Sequence, residues 1–290
     1  MNIYRHIADK PTLEREYSPS SCVDNLNVFL DAYTTKSAAV RAAHPPVEHR
    51  YGASDAEVLD LFAAPARAGA LRPLLIYIHG GYWQELSKNE HAFPAVALNR
   101  NGISYIAVNY GLAPQATLDE MVERCRRAVA WIAQHSAALG VDASAIHVAG
   151  SSAGGHLSAM TALADWSRYG LAASPIRSVI LLSGVYDLRP LPLTYINDAV
   201  RMSPTDALRN SPLLLIDTAG AFPPALVAVG DNEPSELRRQ SGEFADAIGR
   251  RGGVVQYHVA PGRNHFDLPF DLGDESTPFG AMTLRHMGLS

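Results

Sequence analysis

The stretch HVAGSSAGGHL, residues 147–157, sets two adjacent serines inside a cluster of glycines. Gly and Ser are ordinary turn formers, so the flanks decide how the stretch is read. Before it, AIHVAG is apolar and partly β-branched, as a buried strand is. After it, HLSAMTALADW has helical spacing, with Leu157, Met160, Leu163 and Ala164 near one face. Strand, sharp turn and helix are the setting in which G-x-S-x-G holds up a serine nucleophile. The chain reverses so tightly there that the residues two before and two after the serine almost touch, and both need minimal side chains. Centred on Ser152, those positions are Gly150 and Gly154. Centred on Ser151 they are Ala149 and Ala153, which lack the glycine freedom in φ. Ser152 is therefore read as the nucleophile, and Ser151 as a structural neighbour at the strand end.

Outward from this elbow, strands and helices alternate. Residues 1–45 read as a helical, amphipathic N-terminal segment, clearest over CVDNLNVFLDAYTTKSAAVRAAH and ended by Pro45-Pro46. This segment is expected to cover the site. Short strands follow at VEHRYG and EVLDLFAA, then the continuous apolar runs PLLIYIHGG and ISYIAVNY that suit central parallel strands. TLDEMVERCRRAVAWIAQHSAALG reads as one long helix closed by Gly140. After the elbow come strands RSVILLSG and PALVAVG, helix SELRRQSGEFADAIGRRG and strand VVQYHVA. The alternation predicts an α/β fold, a mostly parallel sheet with helices on both faces. Functional residues in such sheets gather at the carboxyl ends of the strands.

Composition bounds the rest. The 290 residues, 47% of them hydrophobic, suffice for one large domain spanning 1–290, with no linker-like run and no internal repeat. A formal net charge of −5 without a basic patch argues against nucleic acid as a partner. No apolar stretch approaches a membrane span, and MNIYRHIADKPTLEREY is too charged for a signal peptide. The two cysteines, Cys22 and Cys125, read as reduced thiols of a cytoplasmic protein. The partner implied is a small-molecule substrate. A homodimer is an assembly the sequence leaves open.

A serine hydroxyl attacks only when a base takes its proton and a third group holds that base. On this kind of sheet the chain order is Ser, then Asp or Glu, then His. After Ser152 the histidines on offer are His156, His258, His265 and His286. His156 lies on the helix leaving the elbow, where packing is its expected role, and His258 lies within a predicted strand. His265, in the loop APGRNHFDLP after the last strong strand, is the expected base. For the acid, VAVGDNEPSE offers Asp231, Glu233 and Glu236. Asp231 stands at the strand end, where Asp serves local turns. Glu233 precedes Pro234, which biases it to an extended backbone aimed away from the next helix. From the residues alone, Asp231 and Glu233 stay open. In IYIHGGYW, the backbone N–H groups of Gly81 and Tyr82 are candidate oxyanion donors beside that of Ala153, each worth about 3 kcal/mol of barrier. His79 is read as orienting that loop, and Tyr82 and Trp83 as walls for an aryl group. No H-E-x-x-H or paired-cysteine spacing suggests a metal, and the chain supplies every group the chemistry needs, so no cofactor is expected.

The segments HGGYWQELSKNEHAF, VNYGLAP, GSSAGGHL and VGDNEPSELRRQS together resemble the kynurenine formamidase (arylformamidase) family of α/β-hydrolases, relatives of the hormone-sensitive-lipase-like esterases. LEREYSPSSCVDNL resembles the family's lead-in, so the likeness spans most of the chain. The resemblance implies the α/β-hydrolase fold and an acid a few residues before R-Q-S and directly before Pro, which is Glu233, with Asp231 the alternative. It implies hydrolysis of an aryl formamide, N-formylkynurenine, to kynurenine and formate; a carboxylesterase for small acyl or aryl esters is the second reading, and an inactive ligand-binding module the third. The chain departs from the family at Gly111, where relatives commonly carry Arg.

Overall fold

A computed structural model describes residues 2–65 and 71–289. Eight strands form one sheet: β1 (Val47–Arg50), β2 (Val58–Phe62), β3 (Arg72–Ile78), β4 (Ser104–Val108), β5 (Val141–Ser151), β6 (Ile176–Leu182), β7 (Ala225–Asn232) and β8 (Val255–Asn264). Their order is β1-β2-β4-β3-β5-β6-β7-β8, with β1 and β2 antiparallel and every pair from β4 to β8 parallel. The central runs are apolar because both faces are covered. Along β3, Leu74, Ile76 and Ile78 enter one core layer while Leu75 and Tyr77 enter the other. Each such side chain contributes roughly 1.5–3 kcal/mol on full burial.

The helices are α1 (Lys10–Glu16), α2 (Asn27–Ala43), α3 (Ala95–Arg100), α4 (Leu118–Gln134), α5 (Ala153–Ala162), α6 (Asn197–Val200), α7 (Pro204–Arg209), α8 (Pro212–Leu215), α9 (Ser235–Arg250) and α10 (Pro278–His286). α4, α5 and α9 pack on one face of the sheet; α3 and α10 pack on the other. A capping box between Thr117 and Glu120 starts α4. That helix stops at Gln134, short of the expected Gly140, because turns at Leu139→His135 and Gly140→Ala137 return the chain to β5. The one-sided stripe expected for the elbow helix is absent too. All ten residues of α5 are buried, since α4, α8 and the sheet enclose it. The N-terminal segment becomes helical only from Lys10. At the family departure, Gly111 leaves room for Arg124, whose Nη1 donates to the Tyr110 carbonyl at 3.2 Å. Among the described residues no helix is long and apolar enough to cross a membrane.

Candidate active site

The ends of β3, β5 and β8 converge on one cavity of about 220 Å³. At the end of β5, Ser152 holds φ +58 and ψ −123, a strained backbone for a residue with a side chain. The neighbours over-determine it. A Cβ on Gly150 would meet the Gly154 carbonyl oxygen at 2.3 Å, and one on Gly154 would meet the Ile78 oxygen at 1.9 Å. The Ser152 N–H donates to the Leu182 carbonyl at 2.8 Å, tying the elbow to β6. Ser151 and Ser152 both line the cavity.

The register of the last two strands sets the acid beside the base. The β7–β8 pairing shifts between Gly230 and Asn232, after which Asn232 pairs with Asn264. The next residue on each strand is Glu233 or His265, and these meet: His265 Nδ1 lies 2.7 Å from Glu233 Oε2. Glu233 Oε1 accepts from the Gly230 N–H at 2.7 Å and from the Ser183 hydroxyl at 2.5 Å. Three donors thus compensate a carboxylate that is 4% exposed, as a buried charge requires. Asp231, two residues earlier in β7, is exposed and makes no hydrogen bond to His265. Glu236 is turned away, bonded to Arg239 and Tyr17.

The loop carrying His265 is braced from within. Asn264 Oδ1 accepts from the Phe266 N–H at 2.8 Å, and Asp267 Oδ1 accepts from the Asn264 N–H at 2.7 Å. From above, the Tyr33 hydroxyl of α2 donates to the Phe266 carbonyl at 2.5 Å. His265 lines the same cavity as Ser152, although Ser152 Oγ and His265 Nε2 share no hydrogen bond here. In serine hydrolases this contact commonly tightens only with substrate bound.

Across the cavity, Gly81 at φ +98 makes the turn of the HGG loop, where a Cβ would strike the Glu85 carbonyl oxygen at 2.2 Å. Among the described residues the N–H groups of Gly81, Tyr82 and Ala153 have no acceptor, so all three remain free to donate. His79 Nδ1 holds the Gly80 carbonyl at 2.8 Å, and burial pushes its pKa down to about 3, which keeps the ring neutral. Its part is to orient the loop.

Trp83 departs from the sequence expectation. It is fully buried and does not line the cavity, because its Nε1 donates to His156 Nδ1 at 3.2 Å beneath the elbow helix. His156 Nε2 in turn contacts the Asn210 carbonyl at 2.7 Å, so both residues serve packing. Tyr82 does line the cavity, with its hydroxyl donated to the Tyr17 carbonyl. His258 stacks on Phe279, and His286 contacts the Val179 carbonyl at 3.1 Å, both away from the cavity. The sequence reading missed Ser183 and His91. A serine ending an apolar strand could have signalled the first; nothing local signals the second. Leu26, which caps the start of α2, and Leu30 and Tyr33 on it also line the cavity. Among the described residues no group of three or more His, Cys, Asp or Glu side chains is placed to hold a metal ion.

A strand–elbow–helix serine, a carboxylate–histidine pair on the next strand ends and free amides facing them define a class. The model of the alpha/beta hydrolase fold matches residues 75–267, and the chain belongs to that family. Within it the chain is kynurenine formamidase-like. It is 34% identical to the kynurenine formamidase of Danio rerio over 291 residues, covering 97% of each chain. It is 27% identical to the esterase LipQ of Mycobacterium tuberculosis, over 80% of this chain and 62% of that one. The hyperthermophilic esterase of the archaeon Pyrobaculum calidifontis shares the fold, with a TM-score of 0.70 and 24% identity over 92% of this chain and 95% of that one.

Proposed function

We propose that this chain is a serine hydrolase of aryl formamides, with N-formylkynurenine as its substrate and kynurenine and formate as products. The observation that carries the chemistry is the 2.7 Å contact between His265 Nδ1 and Glu233, opening on the cavity that Ser152 lines. Ser152 Oγ attacks the formyl carbon while His265 Nε2 takes its proton. Glu233 holds the imidazole by Nδ1–H and stabilises the imidazolium without taking the proton. The N–H groups of Gly81, Tyr82 and Ala153 receive the oxyanion. His265 then protonates the aniline nitrogen as the C–N bond breaks, leaving a formyl ester on Ser152. Water, deprotonated by His265, attacks that ester; formate leaves and Ser152 regains its proton.

The formamide substrate is supported by the kynurenine formamidase relative, which matches over 97% of this chain. Ester hydrolysis by the same residues is the second reading, supported by the esterase relative. Rates on N-formylkynurenine and p-nitrophenyl acetate, measured side by side, separate the two. We expect the formamide to be the better substrate by kcat/KM. Turnover of the acetate with the formamide left intact would make the chain a carboxylesterase.

A further inference from the structure

The cavity wall holds a buried imidazole for which the scheme above has no task. His91 ends the 3-10 turn Lys88–His91, lines the cavity and is 2% exposed. Its ring lies among aromatic neighbours, with centroids 5.4 Å from Tyr33, 5.5 Å from Tyr77 and 5.6 Å from His79. Nδ1 lies 3.0 Å from the Ser87 carbonyl oxygen. A carbonyl only accepts, so Nδ1 carries the proton. Burial pushes the ring's pKa down to about 4, so it stays neutral near pH 7. Nε2 is then a lone-pair acceptor with no hydrogen-bond partner among the described residues, and it is not one of the fully enclosed partnerless polar atoms, which leaves it accessible at the cavity His91 lines.

Three tyrosine hydroxyls of the cavity wall are already engaged, while that of Tyr77, which does not line the cavity, has no partner. Tyr33 donates to Phe266, Tyr82 donates to Tyr17, and Tyr195 pairs with Ser18 at 2.8 Å. Much of the remaining wall is apolar, from Leu26, Leu30, Leu86 and Phe266. An unpaired acceptor in such a wall favours a ligand that brings a donor to it.

We infer that His91 Nε2 accepts a hydrogen bond from an N–H of the substrate, so that the site selects N-acyl aryl amines over the matching O-acyl esters. The inference rests on the formamidase reading and names the residue that would separate that activity from plain ester hydrolysis. A site built around a substrate N–H discriminates strongly against an analogue that lacks it, because the acceptor is left unpaired.

The test measures kcat/KM of the full chain on an aryl formamide and on the aryl formate ester of the same ring. The enzymes compared are the unmodified protein, His91→Leu and His91→Gln. We expect the formamide-to-ester ratio to fall at least tenfold in His91→Leu. His91→Gln, whose amide oxygen can accept, should recover part of that ratio. Equal losses on both substrates would reduce His91 to a packing residue and overturn the inference. An unmodified protein that cleaves the ester and leaves the formamide intact would overturn the formamidase reading, and this inference with it. Should His91→Leu fail to fold, the unmodified protein still decides. The N-methyl formamide, which has no N–H, should be at least tenfold poorer than its parent, and comparable rates would overturn the inference.

Discussion

Below the cavity, Ser152, Glu233 and His265 sit on strand ends tied together by backbone hydrogen bonds and by glycines with no room for a Cβ. Above it, Leu26, Leu30 and Tyr33 reach the cavity from one helix, α2, and the residue that caps its start. Of these three, Tyr33 is pinned by a hydrogen bond, to the loop that carries His265. The floor must hold reacting atoms to a fraction of an ångström, since small misplacements erase proximity and orientation. The roof need only exclude water and fit a ring. Substitutions in the floor should therefore change kcat, and substitutions in the roof should change KM.

The largest effect expected is on the elbow. Ser152→Ala should lower kcat by about 10⁶-fold, the scale on which a nucleophile is lost, while Ser151→Ala keeps most activity. A fluorophosphonate label mapped by peptide mass spectrometry to Ser151 would break this assignment. Next comes the acid. Glu233→Gln leaves a shape-matched side chain without the charge, and should lower kcat by about 10⁴-fold with the fold intact. Asp231→Asn, on an exposed carboxylate, should stay within threefold of the unmodified rate, an estimate in keeping with ordinary surface changes. A large loss in Asp231→Asn with a mild one in Glu233→Gln would reverse the two roles.

The roof should respond more weakly. Leu30→Ala removes apolar contact from the cavity wall and should raise KM by roughly tenfold with kcat little changed, the scale of a methylene or two in a binding pocket. A fall in kcat at constant KM would mean that α2 also positions the chemistry. The smallest effect expected is none: dialysis against EDTA should leave activity intact, because nucleophile, base and donors all come from the chain. A loss restored by one divalent ion would put a metal into the floor.

Much of the floor was legible in the sequence because its requirements are local. The tight reversal at Ser152 demands glycines two residues away on each side, and the turn at Gly81 demands φ near +98. Apolar runs bounded by such turns mark central strands whatever surrounds them. The choice of acid was different in kind. Asp231 and Glu233 lie two residues apart and both suit a strand end. A register shift between β7 and β8, two segments distant in the chain, turns Glu233 inward to face His265 and leaves Asp231 exposed. Trp83 was misread for the same reason. Its position beside the HGG turn suggested the cavity, yet its N–H finds His156 on a helix that packs from elsewhere. Ser183 and His91 acquire meaning only once β6 and the 3-10 turn are brought to the cavity, because what a buried polar atom bonds to is decided by long-range packing. The sequence by itself determined the elbow, the sheet and the histidine that follows β8, where backbone geometry restricts the residue. Tertiary structure alone decided which carboxylate, which aromatic and which buried imidazole face the reacting atoms, because strand pairing and helix packing aim those side chains.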